Sequence, residues 1–376
     1  MMTLNDDQRM LADTVAPFMA EEGAIGKQLR HWRDTGCTDG FGHGLWKQFA
    51  ELGLNGILIP EAHGGAGLGQ VEANIVLEEV GRNLTPSPFL TTAVAAVRAL
   101  EGSAQAERWF PGIAAGETVA ALAIDESKRH DPAAIALEAK RQGNGFVLNG
   151  KKQFVVHGAS ADVLLVAART AGAAGETDGL TLFAVEKGVS GLGLENVALA
   201  DSSKAARLTL DNVSVDSDAV IGEVDCGWSP LSKALHAGRA GAAAELTGVA
   251  AGAAAMTVDY LKQRKQFGRL IGEFQALQHR AAHLYGEVEI ARAAALKAAQ
   301  LLDSGDEGAT LMVAVAKAKA GEVARLAVQE GVQMHGGIGM TDEHDIGLYM
   351  KRQAFLDELF GGPRFHAAQV ASLNGN

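Results

Sequence analysis

The sequence has few cysteines, few aromatic residues and no excess of positive charge. Only two cysteines, Cys37 and Cys226, occur among 376 residues, and they show neither a disulfide framework nor metal-ligand spacing. The formal net charge of -12 argues against nucleic acid or an anionic membrane as the main partner, because both require a basic face. Aromatic residues make up 5% of the chain, so helices are expected to pack through small side chains.

Segments that direct a chain to another compartment are also not evident. The first residues, Met1-Met-Thr-Leu-Asn-Asp-Asp-Gln, are acidic and lack the basic start and apolar core of a signal peptide. No run approaches the length of a membrane span. His279 and His283 have helical spacing, but no Glu or Cys completes a metal site around them. These absences predict a soluble, cytoplasmic protein without a metal centre.

What is present is enough apolar sequence for a large core. Hydrophobic residues make up 47% of the chain and charged residues 21%, as in ordinary globular proteins. A length of 376 residues exceeds one typical domain, so two or three are expected.

The hydrophobic pattern changes twice along the chain and predicts three domains with an α+β fold. Residues 1–118 show apolar residues at helical spacing and form an N-terminal all-α domain. Residues 119–222 hold short β-type runs between turn residues, which is typical of a small antiparallel barrel or sandwich. Residues 223–376 return to long Ala-rich helical patterns, which predict a C-terminal four-helix bundle.

Individual elements follow from the same patterns. Six strands are predicted, at 119–124, 145–149, 154–156, 163–168, 180–185 and 206–210. The four bundle helices are predicted at 238–263, 274–303, 308–334 and 346–360. Small residues along the first bundle helix fit either close packing within the chain or contact between subunits, and both interpretations remain open.

Two motifs in the third region carry the clearest chemical signal. Arg264-x-x-Phe267-Gly268 and Gln333-x-x-Gly336-Gly337 each follow a long helical run. A guanidinium binds phosphate as a fork, and glycine lets backbone N–H groups come close to a ligand. Arg264 alone could be a cation that favours a helix C-terminus. Together the motifs predict a site for a large phosphate-bearing cofactor held between helices.

The order of domains and these motifs resemble the acyl-CoA dehydrogenase family of flavoproteins. Glu78-Glu-Val-Gly-Arg82 and Asn149-Gly150-Lys-Lys152 match further segments of that family, so the similarity spans essentially the whole chain. The resemblance implies bound FAD, with Arg264 on its pyrophosphate and Phe267 on the adenine end. Gln333 and the backbone at Gly336 and Gly337 would complete the ADP cradle. In the family these residues reach an FAD bound mainly by the neighbouring subunit.

The sequence departs from the family where the reaction takes place. The family's base is a Glu that removes the α-proton of an acyl-CoA thioester while a hydride passes to the flavin. The matching residue here is Gly361, and the alternative position, just before Arg239, is Gly238. Asp357 is a weak candidate for a displaced base, although a solvated helix face explains it more simply. Arg239 is expected near the flavin by resemblance, or in a surface ion pair.

The strand expected beside the flavin ring also differs. It reads Phe154-Val155-Val156 where the family usually has Trp-Ile-Thr. Phe154 and Val156 are therefore expected to contact the flavin, but the hydroxyl that the family places near N5 is missing. The contacts with the chain's own flavin are thus degraded, while those lent to a neighbour persist. This asymmetry, and the segment ending at Gly361, resemble the small subunits of two-component bacterial acyl-CoA dehydrogenases.

The resemblance therefore predicts a subunit of a heteromeric, FAD-dependent acyl-CoA dehydrogenase. Its partners would be an acyl-CoA thioester, a related subunit that supplies the base, and electron-transfer flavoprotein as acceptor. The small subunits that it resembles act on diacid, aromatic-side-chain or steroid-side-chain thioesters. Two alternatives remain: a desulfinase-like flavoprotein of the same fold that has lost dehydrogenation, or a non-catalytic scaffold subunit.

Overall fold

A computed structural model describes residues 3–375 of the chain. The protein divides into two compact units. The first contains residues 3–31, 70–86 and 239–375, and the second contains residues 32–69 and 87–238. The chain is helical at the N-terminus, β-rich in the middle and helical again afterwards, which confirms the predicted α+β class.

Helices account for most of the chain outside the middle region. The α-helices are α1 Asp6–Glu21, α2 His31–Asp34, α3 His43–Glu51, α4 Gln70–Arg82, α5 Val97–Leu100, α6 Ala104–Ala114, α7 Trp228–Gln263, α8 Gln275–Asp303, α9 Ala309–His335, α10 Ile346–Glu358 and α11 Pro363–Leu373. Two π-helical segments, Gly26–Arg30 and Phe89–Ala96, precede α2 and α5.

Local sequence explains where several of these helices begin. Helix α1 starts at a capping box, in which the Asn5 side chain accepts from the Gln8 N–H and the Gln8 side chain accepts from the Asn5 N–H. Two of the otherwise unpaired donors at the helix start are thereby satisfied. Helix α11 begins with Pro363, whose fixed φ suits the first helical position.

Two glycines let α4 and α7 pack at very short range in the first unit. A Cβ on Gly81 would lie 2.0 Å from the Glu245 carbonyl oxygen, and one on Gly248 would lie 1.9 Å from the Glu78 carbonyl oxygen. No other residue fits such an approach. At these positions the small residues of α7 serve packing within the chain, one of the two uses that the sequence left open.

Helix α9 is the centre of the C-terminal bundle, because α8, α10 and α11 all pack against it. The predicted four-helix bundle is therefore extended by a fifth helix, α11, which the sequence analysis did not predict. Helix α7 also begins earlier than predicted, at Trp228 rather than near Gly238.

Helix α7 is the one described helix that is long and apolar enough to cross a membrane. The expectation that no run approaches that length was wrong by this criterion. However, 78% of its most apolar window is buried inside the protein, as in the core helix of a folded domain.

The second unit contains an eight-stranded sheet with the strand order β6-β7-β3-β2-β4-β5-β8 and with β1 paired to β4. The strands are β1 Ala120–Ala123, β2 Glu138–Gln142, β3 Gly145–Val156, β4 Val163–Arg169, β5 Leu180–Glu186, β6 Leu192–Ala198, β7 Lys204–Asp216 and β8 Val220–Ile221. Most pairs are antiparallel, as predicted, but β1–β4 and β2–β4 are parallel.

The sheet differs from the predicted strands in two ways. The predicted runs 145–149 and 154–156 form one continuous strand, β3, whose pairing with β7 shifts between Lys152 and Val155. Strands β2, β6 and β8 were not predicted. In β2 four of five residues are exposed, so the strand does not show the apolar alternation on which the prediction depended.

Candidate functional site

The two cofactor motifs lie at the same end of the first unit's helix pair. Tyr260 in the last turn of α7 contacts His335, the last residue of α9, with ring centroids 4.4 Å apart. Arg264 follows the first helix, and Gly336 and Gly337 follow the second. The contact therefore places the Arg264 and Gln333 motifs side by side, as a common cofactor site requires.

A short hairpin after α7 presents the first motif to solvent. Lys265–Gln266 and Arg269–Leu270 pair as strands β9 and β10 around a two-residue turn. Phe267 and Gly268 in this turn have φ of 53° and 79°, and positive φ at both central residues is the geometry of a tight hairpin turn. Phe267 is 91% exposed. A large aromatic held in strained backbone and left in water is suited to bind something outside this chain.

The second motif is open in the same way. Gln333 in α9, Gly336 and Gly337 are all exposed. A Cβ added at either glycine would meet nothing within 4 Å, so these glycines leave space that no other part of the described chain fills. The end of α9 is therefore open to a group that approaches from outside the described chain.

The two glycines differ in what they can offer. Gly336 has φ 65°, and its N–H already donates to the carbonyls of Gln333 and Val332 at the helix C-terminus. It ends α9 with a positive φ, which glycine adopts without steric cost. The backbone donor expected from Gly336 is thus committed to the helix, which leaves Gly337 for that role.

His335 anchors this helix end. Its Nδ1–H donates to the Gly331 carbonyl at 2.7 Å, and its ring also contacts His344 at 4.4 Å between centroids. Burial lowers the pKa of His335, and the neighbouring His344 acts in the same direction. A neutral imidazole is therefore favoured between Tyr260 and His344.

The strand predicted to contact a flavin ring lies in the second unit. Phe154 is half-buried with φ 55°, at the bulge in β3, while Val156 is buried. Positive φ is rare for a bulky side chain and marks a backbone constrained by its surroundings. Neither side chain provides a hydroxyl. The second unit also contains Gly238, which is buried in α7.

A buried lysine in this strand stabilises the loop that follows β1. Lys152 is fully buried; its Nζ donates to the Ile124 carbonyl at 2.9 Å and pairs with Glu126 at 2.8 Å. Burial lowers the pKa of Lys152 to about 8, although the Glu126 carboxylate opposes the shift. Glu126 also accepts the N–H groups of Ala136 and Leu137, both at 2.9 Å. The loop after β1 is consequently fixed to the chain itself.

The turn between α10 and α11, in the first unit, contains Gly361, which the resemblance matches with the family's base. Gly361 has φ 110°, which L side chains rarely adopt. A Cβ built there would lie 2.6 Å from Cδ1 of Phe365 and 3.1 Å from Nε2 of His366. The position is therefore both strained for other residues and occupied by neighbouring side chains.

Two buried cations hold this turn. The Arg239 Nε donates to the Phe360 carbonyl at 3.0 Å, and its guanidinium lies 5.0 Å from the centre of the Phe365 ring. Lys317, 1% exposed, donates to the carbonyls of Leu356 (2.9 Å), Asp357 (3.1 Å) and Gly361 (3.4 Å). Arg239 is 3% exposed, so its expected surface ion pair was wrong.

Asp357 belongs to the same cluster rather than to a solvated helix face. It is buried, and its Oδ2 accepts from Arg325 at 3.0 Å and from Gln353 at 3.1 Å. The simpler explanation by a solvated face was therefore wrong for Asp357. These contacts make it a counter-ion of Arg325, and its charge also raises the pKa of the buried Lys317. Its use as a base remains a prediction that the geometry does not favour.

Lys317 and Phe365 were missed by sequence reasoning. Lys317 interrupts the apolar stretch Val313-Ala-Val-Ala-Lys-Ala, and a charge within such a stretch could have indicated a buried role. Phe365 carries no comparable signal. Within residues 3–375 no group of three or more His, Cys, Asp or Glu side chains could hold a metal ion.

The order of a helical region, a β-rich region and a C-terminal helical bundle is that of the acyl-CoA dehydrogenase class of fold. Three family models match the chain: the acyl-CoA dehydrogenase N-terminal domain at residues 5–117, the middle domain at 121–213 and the C-terminal domain at 225–368. The chain belongs to the acyl-CoA dehydrogenase family, whose members catalyse FAD-dependent dehydrogenation of acyl-CoA.

Individual relatives cover most of the chain. The cyclohex-1-ene-1-carbonyl-CoA dehydrogenase of Geobacter metallireducens is 32% identical over 84% of this chain and 84% of its own length. A solved steroid ACAD variant, Tcur3481-Tcur3483, is 31% identical with a TM-score of 0.88, and the match covers 99% of this chain and 98% of that one. A structure of the electron transferring flavoprotein of Acidaminococcus fermentans is 28% identical with a TM-score of 0.90, over 100% and 99% of the two chains.

Proposed function

We propose that this chain is one subunit of a heteromeric, FAD-dependent acyl-CoA dehydrogenase that forms an α,β-unsaturated acyl-CoA. A related partner subunit supplies the catalytic base and the contacts with the flavin ring. The observation that carries the proposal is the contrast between an open ADP-binding end and a closed base position in one chain. Gly337 and Phe267 face solvent, whereas Gly361 is crowded by Phe365.

The chain's own residues have binding roles in this proposal. Arg264 pairs with the pyrophosphate of the partner's FAD, because a guanidinium fork matches phosphate oxygens. Phe267 packs on the adenine end, and Gln333 and Gly337 contribute polar contacts beside it. FAD, when bound, supplies the acceptor for the β-hydride. The α-proton goes to a carboxylate of the partner, since Gly361 and Gly238 cannot accept one.

The relatives support the substrate class and the assembly. One is named as a dehydrogenase of a cyclic acyl-CoA, and the steroid relative is named as a pair of gene products. We therefore propose an acyl-CoA thioester as substrate and electron-transfer flavoprotein as electron acceptor, consistent with the third comparison. Domain limits at 118 and 222 and a cytoplasmic location remain parts of the same proposal.

An Arg264→Ala variant tests whether Arg264 binds the FAD of the partner subunit. The chain is co-expressed with a related dehydrogenase subunit, and bound FAD is counted by flavin absorbance after purification of the pair. Loss of the phosphate contact is expected to cost about 1.5–3 kcal/mol, which is roughly a tenfold to hundredfold weaker FAD affinity. The apparent melting temperature of the apo chain should not change, because Arg264 is exposed.

Arg269→Ala is the matched control. Arg269 lies in the same hairpin and stacks on Phe274, with the guanidinium 4.1 Å from the ring centre. Its removal should leave FAD content nearly unchanged. If both variants lose FAD equally, or if neither does, the assignment of Arg264 to the pyrophosphate is incorrect.

A further inference from the structure

Position 361 lacks a carboxylate, and it also lacks room for a side chain. Gly361 has φ 110°, and a Cβ built on it would come within 2.6 Å of Phe365 Cδ1 and 3.1 Å of Phe365 Cγ. Contacts under 3.0 Å do not occur for real Cβ atoms unless a neighbour moves. The first atom of any side chain at this position would therefore meet the Phe365 ring.

The ring is held where it is. Phe365 lies in the first turn of α11, and the guanidinium of Arg239 sits 5.0 Å from its centre, within the range of a cation–π interaction. Arg239 is itself buried and tied to the Phe360 carbonyl. Movement of the ring would thus leave a buried cation without its aromatic partner.

The backbone that carries Gly361 is fixed as well. Lys317 binds the carbonyls of Leu356 and Asp357, which are among the last of α10 and have no partner within the helix. It also reaches the Gly361 carbonyl. A cation at a helix C-terminus is favourable to its dipole. Two buried cations from α7 and α9 therefore bind four carbonyls of one turn.

We propose that Phe365, Arg239 and Lys317 form a closure over Gly361 that keeps this chain's own catalytic position shut. Phe365 fills the space into which a side chain at 361 would project, and the two cations lock the turn. The closure explains physically how a subunit could contact its partner's FAD and yet have no active site of its own. It therefore rests on the proposed function. Returning Glu to position 361 alone would not restore a base.

A double-substitution cycle tests the closure without needing a partner, a cofactor or turnover. Gly361→Ala should lower the apparent melting temperature of the full chain. Phe365→Ala should recover at least half of that loss when the two are combined, because it removes the atom that the new Cβ meets. Gly305→Ala is the matched control: Gly305 has φ 64°, but a Cβ there meets nothing within 4 Å. Combined with Phe365→Ala, its effect should be additive.

Thiol labelling provides a second measurement, should the alanine variants fold poorly. In a Cys37→Ser/Cys226→Ser background, Gly361→Cys should react with a thiol reagent at least tenfold more slowly than Gly305→Cys. Phe365→Ala should raise the Gly361→Cys rate at least tenfold and leave the Gly305→Cys rate unchanged.

The outcomes separate the closure from the proposed function. Additive melting shifts at 361 and 365, or a labelling rate at 361 that Phe365→Ala does not change, would overturn the closure. FAD content and subunit composition play no part in either experiment. A chain that proved to be self-sufficient in FAD would instead overturn the proposed heteromer.

Discussion

The buried Lys317 makes a quantitative prediction about stability and pH. Its Nζ is enclosed by carbonyls at the end of α10, and burial lowers its pKa from 10.5 to about 8, against the opposing attraction of Asp357 and Glu358. A difference of this size corresponds to about 3 kcal/mol between the folded and unfolded chains.

The sign follows from proton linkage. Below pH 8 both states hold the proton, and the folded state bears the full cost of a buried charge. Between pH 8 and about pH 10.5 the unfolded lysine keeps its proton while the folded one loses it. Because the unfolded state then binds more protons, the free energy of unfolding contributed by Lys317 rises with pH.

Lys317→Met should remove this rise. Urea unfolding of wild type and variant, followed by fluorescence of the four tryptophans, is measured between pH 7 and pH 10. The stability of the wild type relative to the variant should increase by about 2 to 3 kcal/mol over that range. Taking the difference cancels the contributions of Lys152 and Tyr349, which both proteins contain.

Lys262→Met is the control for this experiment, since the Lys262 side chain is 70% exposed and pairs with Asp259 of its own helix. Subtracting its pH profile corrects for the general loss of one lysine. A difference between wild type and Lys317→Met that stays constant from pH 7 to pH 10 would refute the placement of Lys317 as a buried cation.

Two further substitutions, with a control for the first, test the packing of the first unit. Gly248→Ala should destabilise the chain by about 3 kcal/mol or more, because its Cβ would lie 1.9 Å from the Glu78 carbonyl oxygen. Gly286→Ala in α8 is the control. A Cβ at Gly286 meets nothing within 4 Å, so this substitution should stabilise the chain by up to about 1 kcal/mol. Equal effects in urea unfolding would refute the close approach of α4 and α7. Tyr349→Phe should cost about 1 kcal/mol, since it removes the buried hydroxyl that donates to the Arg82 carbonyl at 2.6 Å; an unchanged midpoint would contradict that bond.

The parts of the fold that sequence could predict are those encoded locally. Helical periodicity predicted α8 and α9 to within two residues. The motifs around Arg264 and Gln333 predicted two segments that the structure brings close together, and their use as a cofactor site stays a prediction. The need for glycine follows from local backbone geometry, and phosphate binding follows from charge. Neither depends on contacts between distant segments. The fold class and family followed from the order of such signals.

Other features depend on contacts between distant segments. Strands β2 and β6 are largely exposed, so hydrophobic alternation could not reveal them, and their existence depends on pairing with β3 and β7. Burial of Lys317 requires the α10–α11 turn to fold onto α9, more than thirty residues later. For the same reason the resemblance predicted Gly361 at the base position, but nothing in the sequence pointed to Phe365 as the side chain that lies beside it.

FAD stoichiometry tests the central claim most directly. The chain is purified alone and together with a related dehydrogenase subunit, and bound flavin is counted against protein chains. The account predicts little FAD on the isolated chain and one FAD for each pair of different subunits, with acyl-CoA turnover confined to the pair. One FAD per chain in the isolated protein, accompanied by turnover with an acyl-CoA, would contradict it.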